Sequence, residues 1–248
     1  MMVSSNATRM WRGPALSALL ALSLCALPAR AYQSEVVANG GKIRGTIHYG
    51  GAAFKPAPLE VSKDRDACAA HPLFDQSLMV GRDGGLANVV VTLPDSAKGE
   101  PLQPTTVIFD QRGCEYTPHL AAFPAGSTIA VRNSDGILHS IHTESTANPV
   151  IDMAQPGFKQ TIRITIAKPE VIKVTCDAHN WMEGWWYATS NPYYAVTDAH
   201  GHYAISNVPP GSYTVAVWQE KLGTQSRRLT INPGATTTAD FTFAPAPK

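Results

Sequence analysis

Cys176, His179 and Met182 lie three residues apart in the stretch 174–186, which reads VTCDAHNWMEGWW. Their side chains offer a thiol, an imidazole and a thioether directly after a β-like apolar run. A second imidazole, His139, lies beside an apolar strand upstream. Two imidazoles and a thiolate in one plane, with a weak axial thioether, suit copper that cycles between Cu(I) and Cu(II). The pattern therefore predicts a copper site formed by His139, Cys176, His179 and Met182.

Three other interpretations of Cys176 stay open at this point. A single cysteine is often a buried structural thiol. It could instead form a disulfide with Cys68 or Cys114, which would remove the copper site. Zinc could bind, although structural zinc sites gather more thiolates or imidazoles and do not use methionine. Met182, taken alone, could equally be a core residue.

Two further histidines are weaker metal candidates. Strand alternation turns His142 away from or beside the direction of His139, so we expect it near the site or at the surface. His119, in the stretch CEYTPHL, could support a second metal, although a single histidine at a strand end is usually not a ligand.

The elements that must position these ligands are short strands. Alternating apolar and polar residues recur between turns rich in Gly and Pro, and at most a short helix fits around residues 63–70. Such spacing is typical of an all-β sandwich or barrel. The predicted strands are 42–48, 87–93, 105–109, 127–132, 161–166, 171–175, 202–205, 213–217 and 237–243.

Residues 1–31 predict an export signal. Arg9 and Arg12 precede an apolar run at 15–27, and Ala29 and Ala31 are the small residues that a signal peptidase reads. No stretch reaches the ~18 apolar residues of a spanning helix. We therefore expect a periplasmic protein without a membrane span, the alternative being an N-terminal anchor. Without the signal's three arginines, the formal net charge falls from +1 to about −2, which offers no footprint for nucleic acid.

Removal of the signal leaves three cysteines, Cys68, Cys114 and Cys176. An odd number calls for an explanation in an oxidising compartment. If Cys176 binds copper, Cys68 and Cys114 are left to form a disulfide, which would stabilise the fold by on the order of 3–4 kcal/mol. Two reduced, buried thiols are the alternative.

Residues 118–187 resemble the cupredoxins, specifically amicyanin and plastocyanin. The spacing C-x2-H-x2-M is matched by Cys176, His179 and Met182, and N-x5-H-x2-H by Asn133, His139 and His142. The resemblance implies a Greek-key β-sandwich or barrel over residues 100–189 that holds one type-1 copper ion. It also implies that His179 is the solvent-near ligand through which electrons pass.

Two positions depart from the cupredoxin pattern. Asn180-Trp181 replaces a Pro-aromatic pair, so the loop could be less rigid, and Ser140 replaces an asparagine that ties the two ligand loops together. Serine can still make one such bond. Trp181, Trp185 and Trp186 could form an aromatic docking surface around His179, or pack as ordinary core residues.

The C-terminal stretch resembles a carboxypeptidase regulatory-like (transthyretin-like) domain, a small Ig-like sandwich. It carries T-D-x-x-G-x-Y at 197–203 and P-x-G-x-Y-T-V at 209–215. Strands that would complete such a domain lie far upstream, at 43–47 and 87–93. We therefore expect a split sandwich, residues 32–99 with 190–243, into which the copper domain 100–189 is inserted; β modules in series are the alternative. Residues 244–248 are expected to be a disordered tail.

These patterns predict an exported blue-copper protein that carries single electrons between redox partner proteins. The resemblance brings a dehydrogenase and a c-type cytochrome to mind as partners, and we expect a monomer. A copper carrier or storage protein, and a β-sandwich binding module with incidental copper, are the alternatives. An enzyme is not expected, because the chain presents no second copper centre and no Ser-His-Asp or paired-carboxylate arrangement.

Overall fold

The computed structural model describes residues 1–2, 32–52 and 54–245. The predicted signal peptide, apart from its first two residues, and the last three residues of the predicted tail lie outside this part. The described residues form one short helix, α1 (Arg65–Cys68), and the strands β1 (Gln33–Ser34), β2 (Gly41–Tyr49), β3 (Val90–Thr92), β4 (Lys98–Gly99), β5 (Thr106–Gln111), β6 (Tyr116–Thr117), β7 (Leu120–Pro124), β8 (Thr128–Asn133), β9 (His139–Glu144), β10 (Asp152–Gln155), β11 (Thr161–Thr165), β12 (Glu170–Thr175), β13 (Glu183–Thr189), β14 (Tyr194–Val196), β15 (His202–Val208), β16 (Gly211–Gln219), β17 (Gly223–Ile231), β18 (Thr236–Thr238) and β19 (Phe241–Phe243).

Strand alternation produces the two cores. Successive side chains of a strand point to opposite faces, so an apolar residue at every second position gives one buried face. In β11, Ile162 and Ile164 are buried, while Arg163 between them and the flanking Thr161 and Thr165 are exposed. The same alternation gives β2 its buried Ile43 and Ile47. The all-β class predicted from this pattern is confirmed.

Sandwich A is formed by strands β5 to β13. One of its sheets has the order β10-β9-β12-β13-β7 and the other the order β11-β8-β5-β6. Its core joins both sheets and includes Phe109, Ile141, Val174 and Trp186, all without solvent exposure. The rings of Phe109 and Trp186 meet edge to face at 5.5 Å. Sandwich A thus provides a closely packed scaffold for the residues at its strand ends.

Sandwich B contains strands from both sides of sandwich A in the sequence. One sheet has the order β14-β3-β16-β17, and the other has the order β15-β2-β18 with β19 also paired to β2. Strand β3 precedes sandwich A in the chain, yet it pairs with β14 and β16, which come after sandwich A. A separate apolar core fills sandwich B.

A buried polar contact joins the two sandwiches. Glu220, in the β16–β17 turn, accepts hydrogen bonds from His119 Nε2 at 2.5 Å and from Trp185 Nε1 at 2.7 Å. The side chains of His119 and Glu220 are only 5% and 4% exposed. Beside them, the Trp218 ring of sandwich B packs against Trp185 of sandwich A. This contact fixes the position of one sandwich on the other.

Over the described residues, no helix has both the length and the apolar character needed to cross a bilayer.

Candidate metal centre

Three candidate ligands meet at one end of sandwich A. His139 begins β9, and Cys176 follows the last residue of β12. Strand β12 pairs antiparallel with both β9 and β13, so its end lies beside the starts of both neighbours. The loop from Cys176 to Met182 therefore turns back next to His139, which brings His179 to the same place.

The donor atoms of these residues form a compact triangle. The two Nδ1 atoms of His139 and His179 are 3.0 Å apart, and Cys176 Sγ lies 4.0 Å from the first and 3.9 Å from the second. A point in their plane lies about 2.1 Å from all three atoms, which falls in the roughly 2.0–2.3 Å range of zinc–nitrogen and zinc–sulfur bonds. The triangle therefore has the size to hold a first-row transition metal ion.

Solvent is excluded from this triangle. His139 and His179 have no exposed surface, and Cys176 is 3% exposed. Burial alone would raise the pKa of the Cys176 thiol, but hydrogen bonds with His139 and from the Ser140 backbone N–H lower it to about 6. The sulfur is therefore available as a thiolate, which is the form that binds metals.

Asp135 fixes the orientation of His139. The Nε2–H group of His139 donates to Asp135 Oδ2 at 2.9 Å, which leaves Nδ1 free to face the triangle. Burial alone would lower the pKa of His139, but the adjacent carboxylate raises it above its ordinary value. The backbone N–H groups of Gly113 and Cys114 in turn donate to Asp135 at 2.6 and 2.8 Å.

Met182 lies at the end of the same loop. It is 2% exposed and belongs to the core of sandwich A, and its backbone N–H donates to the carbonyl of His179 at 3.0 Å. This hydrogen bond closes the turn between His179 and Met182. The role of Met182 as a fourth, axial ligand stays a prediction.

The two weaker histidine candidates lie outside the triangle. His142 Nδ1 is 3.1 Å from Asp177 Oδ1 with a half-exposed ring, and together with Asp152 these residues form a separate surface cluster. His119 is engaged with Glu220 between the sandwiches. The structure therefore brings together His139, Cys176 and His179, but not His142 or His119.

At the two positions that depart from the cupredoxin pattern, Ser140 and Asn180-Trp181, other contacts restrain the ligand loops. Ser140 Oγ accepts a hydrogen bond from the backbone N–H of Asp177 at 2.7 Å, so serine ties the two ligand loops together. Trp181 donates its Nε1–H to the carbonyl of Cys114 at 3.2 Å, and its ring packs 5.0 Å from the His179 ring. These contacts restrain the loop without a proline.

The structure joins Cys68 and Cys114 in a disulfide, and Cys176 is a free, buried cysteine. A disulfide between Cys176 and either of the other two cysteines is therefore wrong. The pairing connects α1, which precedes sandwich A, to the loop between β5 and β6.

The expectation that His179 is solvent-near is wrong. Residues 57–75, which we call the cap segment, cover it. Asp64 of this segment accepts a hydrogen bond from His179 Nε2 at 2.9 Å, and Cys68 Sγ lies 3.9 Å from the same nitrogen. Sequence reasoning missed Asp64, because nothing local connects it to a histidine 115 residues away.

The aromatic docking surface is also wrong for one of its three tryptophans. Trp186 is fully buried against Phe109, because strand alternation points it into the core. Trp185, the preceding residue of the same strand, points to the opposite face, toward sandwich B. Trp181 alone packs on the His179 ring.

Comparison with protein families matches residues 187–244 to the carboxypeptidase regulatory-like domain. This confirms the predicted resemblance for the C-terminal region. No curated protein sequence matches the chain.

Several solved structures are similar to part of the chain. A copper-containing nitrite reductase from Thermus scotoductus SA-01 is 23% identical over 36% of this chain and 23% of its own, with a TM-score of 0.30. A purple cupredoxin from Nitrosopumilus maritimus is 22% identical over 30% of this chain and 81% of its own, with a TM-score of 0.26. A Cu(I) amicyanin mutant is 15% identical over 34% of this chain and 81% of its own, with a TM-score of 0.30.

Proposed function

We propose that this protein is an exported type-1 copper protein that carries single electrons between periplasmic redox partners. The observation that carries the proposal is the triangle of two imidazole nitrogens and one thiolate sulfur, buried at the end of a closely packed β-sandwich. A mixed set of thiolate and imidazole donors suits copper in both oxidation states, whereas oxygen-rich sets suit magnesium or calcium.

In this proposal, each ligand has a distinct task. Cys176 would supply the thiolate, His139 and His179 the two imidazole nitrogens, and Met182 a weakly bound thioether sulfur. Bound copper supplies a couple that changes by one electron. The protein holds the donors in place through the Asp135–His139 hydrogen bond and the Ser140 N–H donated to Cys176 Sγ at 3.3 Å. Donors that do not move when the charge changes keep the barrier to electron transfer low.

We further propose that sandwich A is a copper domain inserted into a regulatory-like host domain formed by residues 32–99 and 190–243. The pairing of β3 with β14 and β16 supports this arrangement, because modules in series would pair strands within each segment. Insertion of one domain into another is tolerated where the two ends of the inserted domain lie close together.

The partners in this proposal are redox proteins, with a dehydrogenase and a c-type cytochrome as the pair that the cupredoxin resemblance suggests. The protein itself passes on an electron and transforms no substrate. The burial of all three donors favours this role over copper delivery, because a delivered ion must be released through an accessible ligand.

One titration tests the proposal. The mature protein is loaded with one equivalent of Cu(II), reduced with ascorbate and reoxidised with ferricyanide, while the visible spectrum is recorded. We expect an intense blue thiolate–copper band that disappears with one electron per copper and returns fully over repeated cycles. Tight Cu(I) binding without a Cu(II) band would indicate a copper carrier, and binding of neither ion would indicate a binding module.

A further inference from the structure

The cap segment is not part of sandwich A, yet it covers the candidate metal centre. It lies between β2 and β3 in the chain. The beginning and the end of the segment are hydrogen-bonded to each other, from Leu59 N–H to the Leu73 carbonyl and from Asp75 N–H to the Ala57 carbonyl. Cys68 and Leu73 are buried in the core of sandwich A, and Leu59 packs against it. The cap segment is therefore docked on sandwich A by apolar contacts.

Asp64 is the point at which the cap segment reaches a candidate ligand. His179 Nε2 lies 2.9 Å from Asp64 Oδ2, and because a carboxylate oxygen only accepts, Nε2 carries a proton and donates it in this hydrogen bond, while Nδ1 faces the triangle. The imidazole has no exposed surface, whereas the Asp64 side chain is 41% exposed. Solvent therefore meets a carboxylate where the imidazole edge would otherwise be.

The backbone of Asp64 is held in an uncommon conformation at this contact. Its φ of 48° and ψ of 42° lie in the left-handed region, which costs energy for any residue with a Cβ. Asp64 stands at the N-terminus of α1, but its side chain does not cap that helix. The carboxylate is directed to His179 instead, and backbone strain of this kind often marks a functional contact.

The disulfide connects the segment of Asp64 to the loop that contacts Asp135, the carboxylate that accepts a hydrogen bond from His139. Asp64 directly precedes α1, Cys68 ends this helix, and Cys68 is bonded to Cys114. The backbone N–H of Cys114 donates to Asp135, which accepts from His139. The Cys68–Cys114 disulfide thus joins the two regions that hold the carboxylates of Asp64 and Asp135, the acceptors of His179 and His139.

We propose that Asp64 is a positioning residue for the metal centre: from outside the copper domain, it orients His179 and strengthens its hold on Cu(II). This inference rests on the proposed copper function. A carboxylate that accepts the distal N–H of a ligand imidazole fixes its tautomer and ring orientation and makes its donor nitrogen more basic. Because the carboxylate is negative, it favours Cu(II) over Cu(I).

Two variants test the proposal in the full mature protein. Asp64→Gly keeps the left-handed backbone and removes the carboxylate, and Asp64→Asn keeps an acceptor but removes the charge. We expect Asp64→Gly to weaken Cu(II) binding roughly 10–100-fold. We expect Asp64→Asn to weaken it less, and both to make the reduction potential more positive. Asp66→Asn, which removes the charge of an exposed acidic residue in the same segment, should leave both quantities unchanged.

A readout without copper separates this proposal from the proposed function. In the metal-free, ¹⁵N-labelled protein, we expect the Nε2–H proton of His179 to exchange slowly with water and to lose this protection in Asp64→Gly. If the protection, the affinity and the potential are the same in both Asp64 variants as in the wild type, the positioning role is wrong. If the wild type binds no copper, the proposed function fails, while the exchange of Nε2–H still decides whether Asp64 holds His179.

Discussion

We expect the replacement of Glu220 with alanine to lower the free energy of unfolding by about 2–6 kcal/mol, because it removes the acceptor of two buried N–H donors. Glu220 accepts hydrogen bonds from His119 and Trp185 at the contact between the sandwiches. Without it, both N–H groups stay buried with no acceptor, and each unsatisfied group costs about 1–3 kcal/mol.

Urea unfolding at equilibrium, followed by tryptophan fluorescence, measures this loss. The matched control is Glu183→Ala, because Glu183 also has a polar partner, Lys173, at 2.9 Å, but its side chain is 39% exposed. An exposed pair contributes about 0.2–1 kcal/mol. Equal losses in the two variants would contradict the buried contact that we describe.

We expect the replacement of Cys176 with serine to abolish the blue band and to weaken Cu(II) binding by more than the roughly 100-fold that marks loss of a hydrogen bond to a metal ligand. Serine has nearly the same size, so the fold should be retained, but its hydroxyl does not ionise near neutral pH. The thiolate, whose pKa is held at about 6 by its neighbours, is thereby lost.

Copper titration followed by visible absorption measures both effects. His142→Ala is the matched control, because His142 lies on the same strand as His139 but pairs with Asp177 outside the triangle. This variant should keep the band and the affinity of the wild type. A band that survives in Cys176→Ser, or that disappears in His142→Ala, would show that the copper is held elsewhere.

The strands and the triangle could be predicted because their signals are local. Alternation in β11 and β2 reports burial on one face of each strand, and the loop from Cys176 to Met182 carries its ligands within one turn. The pairing of Cys68 with Cys114 followed from counting thiols. Asp135 also has a local signal, because it lies four residues before His139.

The environment of His179 could not be predicted in the same way. Its burial depends on the cap segment, which reaches sandwich A through packing of Leu73 and Cys68. Such contacts arise from the tertiary fold and leave no spacing pattern in the sequence. Glu220 is similar, because it meets His119 across 101 residues of chain. Local patterns therefore predicted the three donors, whereas the contacts of Asp64 and Glu220 required the structure.

X-ray absorption at the copper edge tests the central claim most directly. The mature protein is loaded with one equivalent of Cu(II), desalted, and measured for the type and distance of the atoms around the metal. We predict one sulfur and two imidazole nitrogens at about 2.0–2.3 Å, as the donor triangle of Cys176, His139 and His179 requires. A shell of only nitrogen and oxygen, or copper that is lost on desalting, would contradict the account.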